Sequence, residues 1–78
     1  MSREFFPKGI TLSRNDLGGL AVEWNGIFIG WIHASIGDQW NAYVRGKKNG
    51  DPGIMLGRFT KDEAVRRIAL AAGWPGTE

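Results

Sequence analysis

Apolar and polar positions alternate in short runs through most of this chain, and the period lengthens to that of a helix only near its end. The run LAVEWNGIFIGWIH sets two β-rich halves on either side of Asn25-Gly26. That dipeptide suits a two-residue hairpin, because both turn positions need φ > 0. Pairing outward from the turn sets Trp24 against Ile27, Val22 against Ile29 and Leu20 against Trp31, all on one face. The other face receives Glu23, Phe28, Gly30 and Ile32. A one-residue slip would bury Glu23, so the first face is expected to be the core.

Upstream, ITLSR (Ile10 to Arg14) alternates and predicts an edge strand, with a turn following in NDLGG. Residues 1–9 read as a lead-in whose Phe5 and Phe6 can tuck against the sheet. Downstream, SIGDQ is a turn. WNAYVR then divides Trp40, Ala42 and Val44 on one face from Asn41, Tyr43 and Arg45 on the other. GKKNGDPG, with three Gly and one Pro, predicts a hairpin loop. IMLGRF is the last strand, in which Gly57 marks a bulge or a close backbone approach.

From Thr60 the pattern becomes helical. Thr60 and Glu63 have the spacing of a capping box. Ala64, Val65, Ile68, Ala69, Ala71 and Ala72 fall on an arc of roughly 160°, enough to lie on a sheet. Asp62–Arg66 and Glu63–Arg67 have i,i+4 spacing on the exposed side. Gly73 stands where a C-terminal glycine belongs, and Trp74-Pro75 supplies a hydrophobic contact and the stop. The expected fold is α+β: an antiparallel meander of four to five strands, residues 10–78 forming one domain, with a single C-terminal helix across one face.

Composition narrows the function classes. At 78 residues one core supplies little net stability, and four Trp, four Phe and one Tyr take the place of covalent staples. Trp24, Trp31 and Trp40 fall on the expected core face and Trp74 on the helix stop. The absence of cysteine removes disulfides and thiolate metal sites, and fits a cytoplasmic protein. Neither a secretory leader nor a membrane span is expected from the pattern. The net charge of +2 is small, so any basic surface must be local, and Arg45, Lys47 and Lys48 form the basic cluster.

The residues GW…W-x-A-Y-V-R-G…LGRF-T-K-D-E-A-V, over about residues 29–72, resemble a known family. They are similar to the sheet-plus-helix DNA-binding domains of plant ethylene-response factors and of the arms of tyrosine integrases. Short actinobacterial and phage proteins often share this ending. The resemblance implies that the sheet face opposite the helix enters the major groove of duplex DNA. It implies that Asn41, Tyr43, Arg45 and Met55 approach bases and phosphates. Lys47 and Lys48 can add phosphate contacts from the loop, and Arg58 extends the cluster. The reading is a non-catalytic DNA-binding accessory or regulatory protein.

A second reading comes from the same face. The family lines its first strand with arginines, whereas IGWIHAS offers apolar residues and one His. Phe28 and Ile32 on that face form an apolar patch suited to a host protein or to a second copy of the chain. His33 has no neighbour at ligand spacing, so a metal site is not expected. Nor does the chain show a nucleophile–base pair, a carboxylate pair or a phosphate-binding loop, so neither an enzyme nor a cofactor is expected.

Overall fold

The structure, a computed structural model, describes residues 9–14, 18–46 and 52–73. Five strands, β1 (Ile10–Arg14), β2 (Leu20–Trp24), β3 (Ile27–Ala34), β4 (Trp40–Val44) and β5 (Ile54–Phe59), are followed by one helix, α1 (Lys61–Ala71). The strands pair antiparallel in chain order, β1-β2-β3-β4-β5, with the helix against one face of the sheet. This is the α+β meander that the alternation predicts. Apart from Gly9, the lead-in lies outside the described residues, as do Lys47, Lys48 and Trp74.

The Asn25-Gly26 turn forms as expected, with φ of 51° and 84°, and Trp24 pairs with Ile27. Two steps later the register departs from the expected one. Glu23 pairs with Phe28, but Val22 pairs with Gly30, so Ile29 is an extra residue in β3. Such a bulge puts two successive residues on one side and inverts the alternation beyond it. Leu20 therefore pairs with Ile32, and Ala21 with Trp31. Ile32 is fully buried in the core and Trp31 turns to the open face, which corrects both expected placements. The cause is the helix. Its small residues bring it close to the sheet, and Gly30 leaves room beneath it that an indole would overfill. A Cβ on Gly30 would sit 2.7 Å from Ile68 Cγ2 and would also strike the Tyr43 carbonyl oxygen.

A second irregularity lies in β5. Ala42 pairs with Gly57 and Tyr43 with Met55, so Leu56 is the extra residue there. Gly57 adopts φ of 138°, which a side chain would resist, so the expected bulge is present. The core gathers Val22, Ile29, Ile32, Ala42 and Val44 from the sheet under Ala64, Val65, Ile68 and Ala69 of the helix. Trp24, Trp40, Leu56 and Phe59 border it, partly buried. Ala71 and Ala72, expected on the helix's inner arc, are exposed, because a hollow separates the last turn from the starts of β3 and β5.

Thr60 caps α1, its Oγ1 accepting from the Glu63 backbone N–H at 3.4 Å. The Glu63 carboxylate turns outward. It accepts from Arg67 Nε at 2.6 Å and from Arg66 Nη1 at 3.3 Å. Arg66 is thus paired at i,i+3 with Glu63 and not with Asp62 as the spacing suggested. The same Arg67 lies over the Phe59 ring, 4.9 Å from its centroid, while Lys61 lies over Trp40 at 5.7 Å. These cations close the exposed flank of the helix–sheet seam.

The hydrogen bond from Arg67, helped by the charge of Arg66, holds the Glu63 carboxyl below its ordinary range. A carboxyl whose folded-state pKa is depressed adds stability above its unfolded pKa and loses it as pH falls through the folded value. Glu63→Gln is therefore expected to melt below the wild type at neutral pH, by a small margin because the pair is exposed. In strong acid the two should melt together. Thermal melts across the acid range check this, and a gap that persists in strong acid would refute it.

Candidate binding face of the sheet

The helix covers one face and leaves the other open. Strand register places the open-face residues in rows running across the strands. One row is Ser13, Ala21, Trp31, Tyr43 and Met55, and another is His33, Asn41 and Arg58. Glu23 and Phe28 form a pair on the same face, extended on β1 by Thr11. Four of the residues expected to contact a ligand, Asn41, Tyr43, Met55 and Arg58, thus come together on adjacent strands β4 and β5. Arg45, exposed just past β4, is anchored by its backbone N–H to the Ile29 carbonyl at 2.8 Å. Of the apolar pair, Phe28 is on this face at 38% exposure, and Ile32 is not.

The feature missed in the sequence is Trp31. Its ring lies nearly parallel to Tyr43, with centroids 5.1 Å apart and planes at 9°. It also stacks on Phe28, at 6.1 Å and 10°. Three near-parallel rings therefore share the centre of the face, with Trp31 common to both pairs. Gly53 fixes its outer edge. A Cβ there would lie 3.0 Å from Trp31 Cζ3 and 3.1 Å from Cζ2, and would overlap Cη2, so the indole rests directly on the backbone entering β5. Met55, 51% exposed, continues the row. The signal for Trp31 was present in the chain: a glycine inside an otherwise apolar strand marks a bulge, and the bulge turns the indole outward.

Beside the rings lies a polar row. Asn41 sits in register between His33 and Arg58. Among the described residues its Oδ1 is the one buried side-chain N or O atom without a hydrogen-bond partner. An orphaned acceptor of this kind costs on the order of 1–3 kcal/mol relative to a satisfied one.

Charge is unevenly spread over the face. On the β3–β5 side Arg58 is exposed on the open face, and Arg45, exposed just past β4, borders the hollow at that end of the sheet. On the β1–β2 side the described open-face residues are Thr11, Ser13, Ala21 and Glu23, which include an anion and no cation.

Near the Asn25-Gly26 end of the sheet a hollow of about 400 Å³ opens between the β3 and β5 starts and the end of the helix. Ile27, Ile29, Ile54, Leu56 and Ala71 line it. Ile27 and Ile54 at this end are 62% and 55% exposed. The described residues contain no group of three or more His, Cys, Asp or Glu placed to hold a metal ion. No described helix is long and apolar enough to cross a membrane. Compared with protein-family models, with characterised proteins and with solved structures, the chain finds no match, so its likeness to the ethylene-response-factor domains rests on the quoted residues alone.

Proposed function

We propose that this chain is a small non-catalytic DNA-binding accessory protein, acting in the cytoplasm through the helix-free face of its sheet. One observation carries the reading. The open face joins a preorganised aromatic stack, Phe28, Trp31 and Tyr43, to the polar row His33, Asn41 and Arg58, while Arg45 stands past β4 on the opposite side of the rings. Aromatic rings give a nucleic acid apolar contact, guanidinium groups hold phosphate, and an amide can pair with a base edge. Arg45 and Arg58 are the phosphate contacts among the described residues, and Lys47 and Lys48 follow Arg45 directly in the chain.

Anisotropy titrations of labelled oligonucleotides at rising salt test it. With two arginine contacts, log affinity should fall with log salt at a slope of about −1.4 on a single strand and about −1.8 on a duplex. Arg45→Gln with Arg58→Gln should flatten that slope and weaken binding at least tenfold. Failure of the wild type to bind any oligonucleotide at low salt would overturn the reading.

A second reading, a protein partner or a second copy of the chain, is favoured by the exposed Ile27 and Ile54 beside the hollow. Sedimentation equilibrium should then show association that Ile54→Lys abolishes. A strict monomer at high concentration would exclude self-association.

A further inference from the structure

Resting on the DNA-binding reading, we infer that the open face takes single-stranded DNA, with unstacked bases laid against the Phe28–Trp31–Tyr43 rings, in preference to the duplex. Three observations point the same way. First, a duplex groove offers base edges, and its base faces are already stacked on one another. Parallel rings have little to gain there, but they extend readily by one more flat ring, which a single strand supplies. Trp31 is held for this role by Gly53 and Tyr43, so little ordering is left to be done on binding.

Second, the charge on the face is one-sided. A duplex presents phosphate chains on both flanks of its groove, roughly 12 Å apart. Lying across this sheet, it would bring one chain to Arg45 and Arg58 and the other toward Glu23, where the described open-face residues offer no cation. A single strand following β4 and β5 meets only the arginine side.

Third, the Asn41 Oδ1 orphan lies in the row next to the rings. Unpaired bases free every N–H donor of their Watson–Crick edges, whereas a duplex leaves only the adenine and cytosine amino hydrogens in its major groove. Turning the Asn41 amide outward exchanges an unsatisfied buried oxygen for a hydrogen bond to such a base, and its Oδ1 gives up no native bond in doing so.

The test compares a labelled single-stranded oligonucleotide with the duplex of the same sequence, by anisotropy at one low salt concentration. The single strand should bind at least about tenfold more tightly. Phe28→Ala, at an exposed position that leaves the core intact, should remove most of that preference, and so should Trp31→Ala where circular dichroism shows it folded. Arg58→Gln should weaken both ligands alike. Equal or tighter binding of the duplex overturns this inference while leaving DNA binding in place. Retention of the full preference in Phe28→Ala overturns the role of the rings. Binding to neither ligand overturns the DNA-binding reading itself.

Discussion

Replacing Ile32 by Ala is expected to cost about 2–5 kcal/mol, while Phe28→Ala four positions earlier should cost only about 1 kcal/mol. The difference follows from the bulge at Ile29. Beyond it, Ile32 has no exposed surface and sits in the core with Val22, Ala42, Val65 and Ile68. Truncation there leaves a cavity that a sheet and a helix joined by small residues cannot close. Phe28 lies on the other face and loses one ring–ring contact and part of its burial. In a 78-residue chain the whole of the stability is of the order of 3–5 kcal/mol, so the Ile32 variant should be largely unfolded at 25 °C. Urea titrations followed by far-UV circular dichroism would give both values. Equal, mild effects at the two positions would contradict the bulge and restore the strict alternation in which Ile32 faces outward.

That strict alternation is what a reading of the chain suggests, and the point where it fails shows how far such a reading extends. The strands of the meander, the Asn25-Gly26 turn, the Thr60 cap and the inner face of the helix as far as Ala69 are set by local chemistry, so each is legible in its own few residues. The outward set of β4, Asn41, Tyr43 and Arg45, is legible for the same reason, since β4 itself carries no extra residue. Trp31 and Ile32 were exchanged because their faces depend on whether the helix comes near enough to demand a side-chain-free position in β3. That is a tertiary condition, and its trace in the sequence is one glycine. At Gly57 a lone glycine in the strand points to a bulge or a close backbone approach, whereas Gly30 stands among neighbours that look like an ordinary apolar strand. The outcome for the site was large, since the indole at the centre of the open face and the aliphatic side chain at the centre of the core changed places. A candidate surface with an Ile beside Phe28 became a surface with a stack of three rings.

Gly30→Ala is therefore the sharpest probe of the design, and it is expected to cost about 3 kcal/mol although it adds a single methyl group. Alanine in place of glycine ordinarily gains a few tenths to 1 kcal/mol by restricting the unfolded chain, where the native conformation admits it. Here the new Cβ would strike the Tyr43 carbonyl oxygen and lie 2.7 Å from Ile68 Cγ2 and 3.2 Å from Val44 Cα. The side-chain clash can be relieved by Ile68, but the clash with the Tyr43 carbonyl, beside the tight contact to Val44 Cα, requires β4 to move away from β3. That movement would strain the ladder in which Gly30 pairs with Val44 and Trp31 with Tyr43. It would also disturb the bond from the Arg45 N–H to the Ile29 carbonyl. The stack should loosen with it, because Trp31 follows Gly30 directly and Tyr43 supplies the obstructing carbonyl. The near-UV circular dichroism of the aromatic residues should thus weaken at denaturant concentrations where the far-UV signal still persists. A double-mutant cycle separates the two contributions. Combining Gly30→Ala with Ile68→Ala removes the Cγ2 clash, so the pair should cost less than the sum of its singles by about 0.5 kcal/mol or more. The remainder belongs to the backbone and should survive any change at residue 68. A Gly30→Ala protein as stable as the wild type, with its aromatic signal intact, would mean that the helix does not press on β3 at this point, and the exchange of Trp31 for Ile32 would lose its physical cause.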